Sequence, residues 1–107
     1  MKRGDLVTVA LSDDYGKPRP AVIVQSDLFD QHPSLVILPV TSELRDAPLF
    51  RIRVEPSDDN GLRTTSQVIV DKPQAVAVER IKRRIGRLSD EAMLAVNRAL
   101  AVFLGFA

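Results

Sequence analysis

A small β-barrel with one helix packed against it near the C-terminus is the fold this sequence predicts, on three observations. Short runs rich in Val, Ile and Leu recur with turn formers between them. Several of them alternate apolar and polar residues, and after Ser89 the apolar pattern changes from a strand period to a helical one. A chain of 107 residues has room for one core, so residues 1–107 are expected to form a single domain.

The first strand is expected over residues 6–11, introduced by Gly4-Asp5. Val7, Val9 and Leu11 fall on one face and Leu6, Thr8 and Ala10 on the other, a weak sidedness that suits a strand covered on both faces. Residues 12–18 form a loop punctuated by Gly16 and Pro18, and the next strand begins near Arg19, where Pro20 favours a sheet rim. Residues 26–33 allow one helical turn capped by Ser26 and stopped before Pro33. The strand over residues 35–41 contains Pro39, which lacks a backbone donor and so demands a bulge or an unpaired edge. In the next strand Phe50, Ile52 and Val54 point inward and Arg51, Arg53 and Glu55 outward. Asn60-Gly61 is a reversal signal, residues 66–71 form a further buried strand that residues 75–78 extend, and residues 81–87 form a weak last strand or turn. Ser89 caps a helix with Asp90 and Glu91 in its first turn, Met93, Val96, Leu100 and Phe103 at helical spacing, and Gly105 at its end. Leu94, Ala95, Ala101 and Val102 widen the apolar face of this helix beyond one stripe, so burial on more than one side is expected.

Composition narrows the function. Apolar residues make up 45% and charged residues 27%, an ordinary globular balance. The chain has no cysteine and a single histidine, His32, which rules out a disulfide scaffold, thiol catalysis and a multi-histidine metal site. His32 beside Pro33 is expected to be a solvated loop residue. The N-terminus lacks the apolar segment of a signal peptide, and no run approaches the roughly 20 apolar residues of a membrane helix, so a cytoplasmic location is expected. The net charge of +1 hides a basic run, with five of the eight residues 80–87 being Lys or Arg.

Chemistry concentrates between Lys17 and Ser42. Arg19 stands at the entry to one strand, and Thr41 with Ser42 at the exit of the next. If the two strands pair antiparallel, a guanidinium lies beside one or two hydroxyls at a sheet rim, an arrangement that suits a phosphate.

The ordered set Arg3-Gly4-Asp5-Leu6-Val7, Arg19-Pro20-Ala21-Val22-Ile23-Val24, Pro39-Val40-Thr41-Ser42 and Val68-Ile69-Val70-Asp71, followed by a terminal helix, resembles the MazF/PemK toxins of bacterial toxin–antitoxin systems. The resemblance spans nearly the whole chain. It implies an SH3-like barrel related to that of the gyrase poison CcdB, a homodimer, and metal-independent, sequence-selective endoribonuclease cleavage of single-stranded RNA restrained by a cognate antitoxin. It implies no cofactor. The arginine of the family's Arg-Pro motif maps to Arg19, its threonine to Thr41, and the late aspartate to Asp71. The loop before Arg19 lacks the histidine or glutamate of some members, leaving Asp14 as the acid there. The arginine that some members place two residues before the late aspartate is Ile69 here.

RNA cleavage without metal requires the 2′-hydroxyl to attack the adjacent phosphorus, a group to take its proton, and charge stabilisation on the phosphorane oxygens. On this scheme Arg19 binds the scissile phosphate, Thr41 and Ser42 hold a non-bridging oxygen, and the products carry 2′,3′-cyclic phosphate and 5′-hydroxyl ends. Because an arginine pKa lies above ~12, electrostatic stabilisation is the expected role of Arg19. Asp71 is either a site carboxylate or a residue of a strand-end turn. Lys17 and the run Arg80, Lys82, Arg83 and Arg84 either track RNA backbone, meet an acidic antitoxin tail, or form a solvated face. Two other functions fit the same fold, a gyrase poison like CcdB and a non-catalytic SH3-like binding module.

Overall fold

One long strand organises the sheet by dividing its edge between two neighbours. The computed structural model describes residues 1–11 and 17–107. Among them are β1 (Asp5–Ala10), β2 (Pro18–Ile23), β3 (Ser34–Thr41), β4 (Arg51–Val54), β5 (Ser66–Ile69), β6 (Gln74–Ala77), β7 (Ile81–Arg87) and the helix α1 (Asp90–Leu104). The strands join antiparallel in the order β4-β5-β3-β2-β1-β7. One edge of β3 carries β2, with Ala21 opposite Pro39 and Ile23 opposite Ile37. The other edge carries β6 from Ser34 to Ile37 and then β5 at Val40 and Thr41. Pro39 falls in the gap where the partner changes, so its missing donor interrupts no ladder on that edge.

The expected barrel is present as a curled sheet with an open seam. Among the described residues β4 and β7 end the strand path and do not pair with each other. Residues 55–65 connect β4 to β5, and this connection docks across the seam onto β7, where Arg87 N–H donates to Asp59 O at 2.8 Å. Asn60-Gly61 is thus part of a docked loop and not of a tight hairpin. Asn60 is buried and accepts at Oδ1 from the N–H groups of Ser57 and Leu62, while its Nδ2 donates to Glu55 O.

Two apolar clusters lie on opposite faces of β1, β2 and β3. Leu6, Val22, Leu38, Val40, Val54, Val68, Leu88, Met93 and Val96 form the cluster enclosed by the curl and α1. Val7, Val9, Ala21, Ile23, Leu35, Ile37 and Val76 form the other. Each fully buried Val, Leu or Ile contributes about 1.5–3 kcal/mol relative to exposure.

Several boundaries differ from expectation. Residues 75–78 do not extend the preceding strand, because the chain turns at residues 70–73 and returns to β3 as β6. Residues 81–87 form a full strand on β1, and Phe50 precedes β4 and is exposed. The turn after Ser26 is a 3₁₀ turn, Asp27–Phe29, whose Leu28 N–H donates to Ser26 Oγ at 3.2 Å. In α1, Ser89 Oγ accepts from Ala92 N–H at 3.0 Å and Gly105 closes the helix at φ +85°. Met93 and Val96 are buried, but Phe103 is 49% exposed and Phe106 81%, because the end of the helix runs past the sheet. The broad apolar face is therefore only partly covered within one chain. Among the described residues no helix is long and apolar enough to cross a membrane.

Loop and strand approach each other most closely at two glycines. A Cβ on Gly61, at φ +71°, would lie 2.1 Å from Ile85 O, and one on Gly86 would lie 2.4 Å from Asn60 C. We expect Gly61→Ala and Gly86→Ala each to lose about 2–3 kcal/mol in urea unfolding. Gly105→Ala, where no atom lies within 4 Å, should lose about 1–2 kcal/mol from backbone strain alone. Equal losses at all three positions would contradict close packing at the seam.

Candidate functional site

The strand registers set two short rows of residues across the sheet. Arg53 lies opposite Gln67, and Gln67 opposite Thr41. On the other side Arg19 lies opposite Val9, and Val9 opposite Ile81. The observed β2–β3 pairing ends at Ala21 opposite Pro39, two residues short of Arg19 on β2 and of Thr41 on β3. Both residues therefore follow that last pair at the same end of two neighbouring antiparallel strands. Arg19 is held extended by its own neighbours, since the residue before Pro20 is confined to β and polyproline conformations and Pro18 fixes the turn into the strand. It is exposed at the rim, and Thr41 is half-buried.

Thr41 is tied to the loop that follows it. Its Oγ1 accepts from Glu43 N–H at 3.0 Å, which leaves its own O–H as a donor. That loop, including the exposed Ser42, is held by two side chains that the sequence pattern did not single out. Gln67, 8% exposed, accepts at Oε1 from Arg45 N–H at 3.0 Å and donates from Nε2 to Arg45 O at 2.9 Å. Arg51 Nη1 donates both to Gln67 Oε1 at 3.0 Å and to Glu43 O at 3.2 Å. A glutamine inside the run Ser66–Ile69 was the available signal, because a buried amide must find partners for both ends.

Asp71 stands in the turn between β5 and β6, beside the middle of β3. Its Oδ1 is buried without a hydrogen-bond partner among the described residues, as is Arg51 Nε. Such an atom carries a desolvation cost of about 1–3 kcal/mol that no local bond offsets. Asp14 lies outside the described residues.

The basic residues separate into two groups. Lys17 is exposed just before β2, and Arg80 Nη1 donates to Ala10 O at 3.2 Å, which places both toward the Arg19 end of the sheet. Lys82 and Arg83 are exposed on β7. Arg84 and Arg87 turn to the opposite end and meet Asp5, whose side chain is 7% exposed. Arg84 Nε lies 3.1 Å and Arg87 Nη1 3.8 Å from its Oδ1, and Lys2 N–H donates to Oδ2 at 2.8 Å. This carboxylate locks the N-terminus to β7, and removing its partners would strand a buried charge at a cost of about 3–5 kcal/mol. His32 is exposed in its loop, as expected.

A groove of about 1030 Å³ lies at the seam, between β4, β7 and the start of α1. It contains Arg53, Arg84 and Arg87 but also Glu55, Asp59 and Asp90, and none of Arg19, Thr41, Ser42 or Asp71. Its mixed charge suits a polyanion poorly. Among the described residues no three His, Cys, Asp or Glu side chains gather into a group able to hold a metal ion.

A curled antiparallel sheet closed off by a C-terminal helix, with Arg19 and Thr41 near strand ends at its rim, defines a small barrel-like β protein. Residues 2–104 match the family of PemK-like, MazF-like toxins of type II toxin–antitoxin systems, and the chain belongs to that family. It is 45% identical over 108 residues to a probable endoribonuclease MazF of Mycolicibacterium smegmatis, covering 100% of this chain and 99% of that protein. A mycobacterial endoribonuclease solved in complex with its cognate antitoxin has the same fold, with a TM-score of 0.84 at 23% identity over 100% of this chain and 97% of that one. A MazE–MazF structure from Deinococcus radiodurans gives a TM-score of 0.79 at 19% identity over 98% and 95% of the two chains.

Two surface carboxyls are perturbed. Hydrogen bonding from Lys2 lowers Asp30, and hydrogen bonding from Thr65, then from Arg53, lowers Glu55 below its ordinary 4.5. A carboxyl whose folded value is depressed stabilises the fold above its unfolded value, and that contribution is lost as pH falls through the folded one. Thr65→Val should therefore move Glu55 upward toward 4.5 in a carboxyl NMR titration while leaving Asp30 unmoved. An unchanged Glu55 would remove Thr65 as the cause.

Proposed function

We propose that this toxin is a sequence-selective, metal-independent endoribonuclease, an mRNA interferase that cuts single-stranded RNA and is inhibited by a cognate antitoxin protein. What supports the proposal is membership of this family, together with Arg19 near the start of β2 and Thr41 at the end of the neighbouring antiparallel strand β3. The 2′-oxygen forms a bond to phosphorus as the P–O5′ bond breaks. The 2′-hydroxyl proton passes to a base, and the departing 5′-oxygen takes up a proton. Arg19 supplies a fixed fork of donors to the phosphorane oxygens, and the O–H groups of Thr41 and Ser42 add further donors. Asp71, with its buried and unpartnered Oδ1, acts as the carboxylate of the site. The products carry 2′,3′-cyclic phosphate and 5′-hydroxyl ends.

Lys17, Arg80, Lys82 and Arg83 follow the RNA backbone, with the part of Arg84 not engaged by Asp5, giving affinity that falls with salt. The exposed apolar end of α1 supports a homodimer, and a cytoplasmic location accords with an RNA substrate. One domain over residues 1–107 carries the whole activity.

Incubating the purified protein with a long mixed-sequence RNA in EDTA, and mapping the ends by primer extension, tests this reading. Discrete cuts are expected from the wild type, with kcat/KM reduced about 10²–10³-fold in Arg19→Ala and Thr41→Ala. Arg19→Lys should also be impaired, since a lysine lacks the planar fork. Cuts that survive both alanine substitutions would place the chemistry elsewhere. Intact RNA combined with inhibited gyrase supercoiling would favour a gyrase poison.

A further inference from the structure

We propose that Gln67 and Arg51 are positioning residues that set the direction of the Thr41 hydroxyl through the loop between β3 and β4. The inference rests on the phosphate-binding role proposed above for Thr41. Gln67 lies directly opposite Thr41 in the β3–β5 pair. Its side-chain amide engages both backbone groups of Arg45, at 3.0 and 2.9 Å, as a neighbouring strand would. Arg51 extends the tether by one residue pair, since its Nη1 bridges Gln67 Oε1 and Glu43 O. Glu43 N–H in turn donates to Thr41 Oγ1. A continuous chain of hydrogen bonds therefore runs from a buried amide to the hydroxyl at the rim.

Thr41 is half-buried at the last position of β3, where the chain leaves the sheet for a loop. A threonine populates more than one side-chain rotamer unless a neighbour selects one. The Glu43 N–H makes that selection by occupying one acceptor site of the hydroxyl and leaving the O–H to donate. It can do so only if Glu43 is fixed, and Gln67 with Arg51 supplies the restraint.

The test uses Gln67→Leu, which removes all three amide bonds at similar volume, Gln67→Glu, which keeps the Oε1 acceptor, and the pair Arg51→Met and Arg51→Lys. In steady-state cleavage of the RNA found above, Gln67→Leu should lower kcat about 10–100-fold with KM changed less than 3-fold, the pattern of a displaced catalytic group. Gln67→Glu should fall between wild type and Gln67→Leu. Arg51→Lys, which keeps the charge and a donor, should retain most of the activity that Arg51→Met loses. Urea midpoints confirm folding, and the Arg51 pair carries the test if Gln67→Leu does not fold.

A second arm is independent of cleavage. In NMR of Gln67→Leu and of Arg51→Met, the Glu43 and Arg45 amides should lose exchange protection and the Thr41 methyl signal should shift toward a rotamer average, while β1 and β2 amides stay as in wild type. Unaltered Thr41 methyl and Glu43 signals, or an unaltered kcat, would overturn the proposal. If the wild type itself leaves RNA intact, the cleavage reading fails and the NMR arm alone decides whether the tether orients Thr41.

Discussion

The divided edge of β3 is the constraint on which the rest of the sheet depends. An eight-residue strand that pairs with β2 on one side, and with β6 and then β5 on the other, must leave a point where the second partner changes. Proline is the residue best suited to that point, because it has no donor to leave unpaired. The change of partner at Pro39 lets β5 and β4 bend away from the β6 side and curl the sheet around Leu38, Val40, Val68 and Val54. It also places Thr41 at the end of the strand, opposite Gln67 of β5.

The same geometry explains why the candidate site sits at a rim and not in the large groove. Along the face that holds Ala21, Ile23, Leu35 and Ile37, apolar packing continues until the strands run out. The next residues on that face are Arg19 and Thr41, which meet solvent without opening a gap in the core. Long polymers such as RNA are better served by an exposed edge than by a closed pocket, since the backbone must enter and leave. The seam groove, where five carboxylates outnumber three arginines, offers no comparable attraction.

Buried polar groups define this structure as much as its apolar ones. Asp5 joins the N-terminus to Arg84 and Arg87 of the last strand, Asn60 folds the loop that crosses the seam, and Gln67 anchors the loop after Thr41. Each has its hydrogen bonds met by backbone or by an arginine, as burial requires. Arg51 Nε and Asp71 Oδ1 depart from that pattern, being buried without a hydrogen-bond partner among the described residues.

Local chemistry determined the elements themselves. Apolar runs bounded by turn formers placed most of the strands, Ser89 and Gly105 bounded the helix, and the Arg-Pro and Val-Thr-Ser segments marked Arg19 and Thr41 as rim residues before any pairing was known. These signals are legible because they depend on neighbours within a few positions. What only the tertiary structure decided depends on residues far apart in the chain. The break at residues 70–73 that makes β6 a separate strand is set by the shared edge of β3, and the docking of residues 55–65 is set by the glycine at position 86. Arg84 appeared as one cation in a basic run, yet its partner, Asp5, lies at the other end of the sequence. Gln67 and Arg51 looked like ordinary strand residues, and only the tertiary structure shows them holding the loop after Thr41, since register sets Gln67 opposite Thr41 and the Arg51 side chain reaches Gln67 and Glu43. Periodicity reports which face a side chain takes, whereas register, a property of two strands, decides what that side chain meets.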